Sequence, residues 1–326
     1  MSAPILRERM LGALWGALAG DALGVPVEFM SRATVRQNPV CGMRGFGTHR
    51  QPAGTWSDDS SLLLCAAESL VERDGFDSAD LAQRFIAWER VGVWTPYGEV
   101  FDIGIATAQA IGRLRSGVAP ESAGGADDYS NGNGSLMRIL PMALWYHERP
   151  AAELAALVQR ASSLTHRHPR AQMACVFYCL IVQALLGGAA PNAAYDVARK
   201  AFAVLYETPP FVQERDRFQA LEKGRLRFFA DEEIESSGYV MHTLTASIWC
   251  LLTSFSFEDA VLKAVNLGGD TDTTGTVTGG LAGTHFGLSA MPSNWRTTLA
   301  RHEEITELFT RLVEAIPAAD GPDATT

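Results

Sequence analysis

Apolar residues in this chain recur with the period of a helix, and no stretch alternates convincingly as a strand does. Leu81, Phe85 and Trp88 follow one another at i, i+4 and i+7 after a capping residue at Ser78. Ser256 precedes Glu258 and Asp259 in a first turn, with Lys263 further on, an arrangement that suits the helix dipole. Pro150, Pro169 and Pro191 stand where helices begin. Together these predict an all-α, single compact helical bundle of a dozen or more helices. Loops are expected near 44–54, 117–134 and 230–238. No repeat and no compositional break divides the 326 residues.

At 47% hydrophobic and 20% charged, the chain can bury a large core. Its net charge of −10 and lack of a basic stripe argue against nucleic acid as a partner. The apolar stretch 174–186 is short and holds Gln183, which favours a core helix over a membrane span, and the N-terminus makes a poor signal peptide. The five cysteines show no CxxC spacing. They read as free thiols in a reducing, cytoplasmic setting.

Against this background two knots of oxygen ligands stand out, more than 200 residues apart. The first is Ser57-Asp58-Asp59-Ser60, ahead of an apolar helix. Alone, it is equally a capped helix start. The second is Asp270-Thr271-Asp272-Thr273, after Gly268-Gly269. Its carboxylates at i and i+2 diverge on a regular helix and converge only on a turning backbone, which the two glycines permit. The small residues that follow, Gly275, Gly279, Ala282 and Gly283, allow close backbone approach. Four crowded carboxylates repel one another and raise each other's pKa values. Two divalent cations cancel that charge, with Ser57 and Thr273 hydroxyls completing an all-oxygen set that suits two Mg²⁺ or Mn²⁺ ions.

Further motifs are weaker singly. Gly20-Asp21-Ala22-Leu23-Gly24 leads to Glu28, itself explicable as a surface acid. Ser130-Asn131-Gly132-Asn133-Gly134-Ser135-Leu136-Met137-Arg138 offers glycine-separated amides opening a helix, an anion cradle or a plain loop. His166, in Thr165-His166-Arg167-His168-Pro169, is a ligand contact or a hydrogen-bonded loop histidine. Asp102, in Phe101-Asp102-Ile103-Gly104, opens or caps another helix.

In this order the motifs resemble those of the ADP-ribosylglycohydrolase family, which includes the dinitrogenase reductase-activating glycohydrolases. The resemblance spans GDALGVPVE, GTWSDDS, FDIG, SNGNGSLMR, THRHP and NLGGDTDTTG, nearly the whole chain. It implies one such domain over 1–316; the tail 317–326 is polar and small and is expected to be flexible. It implies that Ser57, Asp58, Asp59, Asp270, Asp272 and Thr273 ligate two Mg²⁺ or Mn²⁺ ions. Gly132, Asn133, Gly134, Ser135, Met137 and His166 are expected to contact ADP-ribose, and Glu28 and Asp102 to serve the reacting ribose. The activity so implied is release of ADP-ribose from a modified protein side chain, arginine first. ADP-ribosyl-serine, O-acetyl-ADP-ribose, and an ADP-ribose-binding or toxin-immunity protein are the alternatives. Asp127 and Asp128 are candidates for attracting a guanidinium at the cleft rim.

Overall fold

The computed structural model describes residues 2–316; the expected tail at 317–326 lies outside them. Among the described residues there are fifteen α-helices and no sheet. In chain order they are α1 (Ala3–Gly24), α2 (Arg32–Gln37), α3 (Asp58–Arg73), α4 (Ser78–Val91), α5 (Ile105–Arg115), α6 (Leu140–Trp145), α7 (Ala151–Ser163) and α8 (Pro169–Leu186). There follow α9 (Pro191–Leu205), α10 (Gln219–Glu222), α11 (Val240–Thr253), α12 (Phe257–Val265), α13 (Thr271–Phe286), α14 (Ser293–Thr298) and α15 (His302–Ala315).

Local chemistry sets most of the boundaries. The Ser57 and Ser256 side chains accept backbone N–H bonds from Asp59 and Asp259. Pro169 and Pro191 open their helices, and Pro150 stands immediately before α7. Two expectations shift. The cap of α4 is Asp77, which accepts from Ala79 and Asp80, one residue before the expected Ser78. The helix that the glycine-separated amides of 130–138 could open starts only at Leu140, because Asn133–Met137 closes turns on the Asn133 carbonyl.

The centre of the molecule is an antiparallel seam between α1 and α13. Gly12, Gly16, Gly20 and Gly24 stand four residues apart on one helix, and Gly275, Gly279 and Gly283 on the other. A methyl group at Gly16 would stand 2.2 Å from the Gly279 carbonyl oxygen; one at Gly20, 2.0 Å from that of Gly275. The two backbones therefore touch directly. Each helical glycine costs up to about 1 kcal/mol against alanine; close backbone packing offsets that. Pairing α1 with α13 also brings the chain just before residue 24 against the chain just after residue 270. Gly24 lies against the backbone of Asp272.

One apolar cluster surrounds the seam, including Leu62, Leu63, Trp88, Phe177 and Phe309. Segments Ile5–Val27 and Pro169–Leu186 are long and apolar enough to cross a membrane, yet 100% and 78% of their most apolar windows are buried inside the fold. The second is thus a longer apolar helix than the sequence stretch 174–186 suggests. Cys65, Cys175, Cys179 and Cys250 are buried free thiols, and Cys41 is exposed and free.

Candidate functional site

The two acidic knots meet. α3 opens on Asp58 and Asp59, and α13 opens just after Asp270, the residue at its N-cap position. The Thr273 hydroxyl donates to Asp59 Oδ2 at 3.3 Å across the gap, and Ser57 Oγ donates to the same oxygen at 3.3 Å. Backbone at Gly268 and Gly269, both with φ of +73°, makes the turn that lets Asp270 and Asp272 converge. A side chain at Gly269 would strike the Ser236 carbonyl at 2.1 Å. Carboxylate oxygens of Glu28, Asp270 and Asp272 lie within 4.8 Å of one another.

Glu28 arrives on a short segment clamped to the glycine turn by backbone bonds, Phe29 N to Gly269 O at 2.7 Å and Gly269 N to Met30 O at 2.8 Å. Ligand atoms of Glu28, His49 and Asp102 form a second group within 4.8 Å. Asp102 is not a helix cap: α5 starts at Ile105 behind Gly104, and Asp102 stands in the preceding loop beside the site. The Gly104 N–H meanwhile reaches Asp58 Oδ2 at 3.4 Å.

Two members of the arrangement have roles that the motifs do not show. His49 Nε2 bonds Glu28 Oε2 and stacks near Phe101, with ring centroids 5.3 Å apart. Asp21, wholly buried in α1, accepts from the backbone N–H of Ser57 and of Ser60 at 3.0 Å each, and from Ser60 Oγ at 2.6 Å. It thus fixes the start of α3 from another helix. Its signal was the acid in Gly20-Asp21, but the partner lies 36 residues on.

The turn after residue 130 sits against the second knot. Asn133 Nδ2 donates to Asp270 Oδ2 at 2.7 Å and to Thr243 Oγ1 at 2.8 Å. Gly132 pairs with Tyr239 across a bridge, and the Asn133 N–H bonds the Gly238 carbonyl. The His166 ring packs on this turn: a methyl at Gly134 would stand 2.8 Å from its Cε1. Ser135 and Met137 are buried, the Ser135 hydroxyl receiving a bond from Ser162. Contacts from this pair to a ligand in the cleft must therefore come through backbone. Asp127 closes its own turn onto Tyr129 N and Ser130 Oγ, and Asp128 lies 3.4 Å from His168.

Electrostatics mark the pocket as built for cations. Burial, then the charges of Asp102, Asp21 and Glu28, hold Asp58 well above the usual carboxylate range. Burial, then neighbouring acids, does the same to Asp59 and Asp272. Burial lifts Asp21 to about 6 against the bonds it accepts, and lifts Glu28 to about 7 against the bond from His49. Asp102 is raised by burial, and the bond to Glu28 raises His49. Asp59 Oδ1 is buried and has no hydrogen-bond partner among the described residues. An orphan carboxylate oxygen, hard oxygen donors throughout and a surplus of buried negative charge fit divalent cations of the Mg²⁺ or Mn²⁺ kind.

A family model described as ADP-ribosylglycohydrolase matches residues 2–322. The chain belongs to the ADP-ribosylglycohydrolase family. Relatives of this glycohydrolase include the ADP-ribosylarginine hydrolase Tri1 of Pseudomonas putida (strain GB-1), 34% identical over 319 residues, covering 97% of this chain and 81% of that protein. The ADP-ribosyl-[dinitrogen reductase] glycohydrolase of Rhodospirillum rubrum is 31% identical over 328 residues, covering 99% of this chain and all of that one. A solved structure titled ADP-ribosylglycohydrolase-related protein complex superposes with a TM-score of 0.79 at 34% identity, covering 96% of this chain and 100% of that one. The all-α fold and the family expected from the sequence are both borne out.

Proposed function

We propose that this glycohydrolase releases ADP-ribose from ADP-ribosyl-arginine on modified proteins. The observation that carries the reading is the meeting of the two acidic knots: Glu28, Asp270 and Asp272 gather within 4.8 Å of one another, and Thr273 bonds across to Asp59. The arginine linkage is supported by the likeness to the ADP-ribosylarginine hydrolase of Pseudomonas putida.

Ser57, Asp58, Asp59, Asp270, Asp272 and Thr273 would hold two Mg²⁺ or Mn²⁺ ions. Bound there, such ions supply Lewis acidity and cancel the repulsion among the carboxylates. The other roles belong to the chain itself. Water attacking C1″ of the ribose must lose a proton, and the departing guanidine must gain one. Glu28, buried and bonded to His49, is placed to accept and return that proton. Asp102 stands within reach of the same His49 and shares that duty. Backbone N–H groups of Gly132, Gly134 and Ser135 and the His166 ring hold the diphosphate and adjoining ribose, so the reacting ring is presented rather than sampled.

The deciding experiment gives purified protein arginine- and serine-ADP-ribosylated peptides, with Mg²⁺ or Mn²⁺ and with chelator. Cation-dependent release from the arginine peptide is expected. Release from serine alone would transfer the reading to the O-linked substrate. Binding of ADP-ribose without release from either would make the protein a binder.

A further inference from the structure

Behind the cleft a buried arginine stands without an acid. Arg138 is 1% exposed, and among the described residues no carboxylate lies within 4.0 Å of it. Its guanidinium lies over the Phe85 ring at 4.6 Å, and its Nη2 donates to the Ala161 carbonyl at 3.1 Å and to Thr165 Oγ1 at 2.8 Å. A buried cation with so few partners costs several kcal/mol of desolvation, roughly. Such an arrangement calls for a compensating purpose.

Thr165 supplies it. A guanidinium only donates, so Thr165 Oγ1 must be the acceptor in that bond. The hydroxyl then has one hydrogen to place. Thr274, Thr276 and Thr284 donate theirs to the carbonyl four residues back. Thr165 makes no such bond among the described residues; its remaining neighbour is His166 Nδ1 at 2.9 Å. Nδ1 therefore takes the role of acceptor. Burial, then the Arg138 charge, pushes His166 down to about 3, so the ring is neutral and carries a single proton. With Nδ1 bare, that proton sits on Nε2. Nε2 has no protein partner among the described residues and faces the glycine turn, where a methyl at Gly132 would stand 3.3 Å from it.

We propose that Arg138 and Thr165 are positioning residues that lock His166 in its Nε2–H tautomer, making it a fixed hydrogen-bond donor to an oxygen of the ligand held over the Gly132–Ser135 turn. The donor role rests on the ADP-ribose reading above; the tautomer does not. A neutral imidazole in the other tautomer would present a lone pair, which an acceptor-only phosphate oxygen cannot pair with. Arg138 thus acts on the ligand through two intervening groups without touching it.

The test is ¹⁵N NMR of histidine-labelled protein at pH 7 together with ADP-ribose titration, on wild type, Thr165→Val, Thr165→Ser and Arg138→Met. Wild type should show a bare Nδ1 and a protonated Nε2 before any ligand is added. Thr165→Val removes the hydroxyl at nearly constant volume; it should populate the Nδ1–H form and weaken ADP-ribose roughly tenfold, the worth of one hydrogen bond to a charged oxygen. Thr165→Ser should restore both signals. Arg138→Met should mix the tautomers and let the His166 pKa climb, which loss of packing alone would not do. A wild-type ring protonated on Nδ1 overturns the proposal, as does a Thr165→Val protein with unchanged tautomer and affinity. A wild type with the Nε2–H tautomer that fails to bind ADP-ribose overturns the functional reading and the donor role with it.

Discussion

Replacing Gly279 with alanine places a methyl group 2.0 Å from the Gly16 carbonyl oxygen and 2.6 Å from its carbonyl carbon. Ordinary contact is about 3.4 Å, so α1 and α13 must part locally by roughly 1.4 Å. The obstacle is backbone, which no rotamer change can clear. Overpacking of this kind costs about 1–3 kcal/mol, and a rigid obstacle in the central seam argues for the upper end, about 3 kcal/mol. An unfolding entropy of about 2.1 cal/mol/K per residue gives roughly 0.7 kcal/mol/K for 326 residues. Tm should therefore fall by about 4 °C. Differential scanning calorimetry reads this directly. Gly112→Ala is the control: Gly112 lies inside α5, exposed, with nothing within 4 Å of an added methyl. Helix propensity there predicts a gain of about 0.5–1 kcal/mol. Equal or higher Tm for Gly279→Ala would refute a backbone-to-backbone seam.

Asp58→Asn and Asp272→Asn should each lower release of ADP-ribose from an arginine-linked peptide by at least about 100-fold, and wild-type turnover in either variant would remove these residues from the metal set. The same substitutions should raise the Tm of chelator-treated protein at pH 7, because each replaces an acid whose ionisation burial and its neighbours oppose with a neutral side chain. Wild-type chelated protein should lose stability as pH rises from about 4 to 7: the unfolded carboxylates ionise near pH 4, whereas Asp21 and Glu28 hold their protons to about 6 and about 7, so the native state binds more protons throughout that window. A Tm that climbs with pH under chelation would contradict this. His49→Ala removes a bond that holds Glu28 down, so the acidic limb of the rate profile should move to higher pH, and an unmoved limb would exclude Glu28 as its source.

Helix content was legible because it is local: prolines at 150, 169 and 191 and serines at 57 and 256 act on backbone within one turn. The knots were legible because their oxygen donors and paired glycines are consecutive. Asp77 and Ser78 are both good caps, and only the backbone dihedrals of the folded chain choose between them. Asp102 looked like a cap from its place before a helix, and the loop carried it to the site instead. His49 carries no periodic signal and reaches Glu28 through an irregular loop. The glycine stripe of α1 is obscured by the apolar residues around it; small residues stand out only on α13, whose partner cannot be deduced from one half of a pair. Arg138 stands in the sequence only as the last residue of the 130–138 motif, since burial has no local signature.

The seam also sets a schedule. α1 ends at residue 24 and its mate at residue 286, so some 260 residues must be made before the two can join. At about 5–20 residues per second that is roughly 13–52 seconds. For all of that interval a 22-residue apolar helix waits near the ribosome without its groove. The candidate site, which lies at the one end of that pairing where Gly24 meets Asp272, is completed among the last events of synthesis. A nascent chain truncated before residue 286 should accordingly draw chaperones to its first two dozen residues, and one released after it should not.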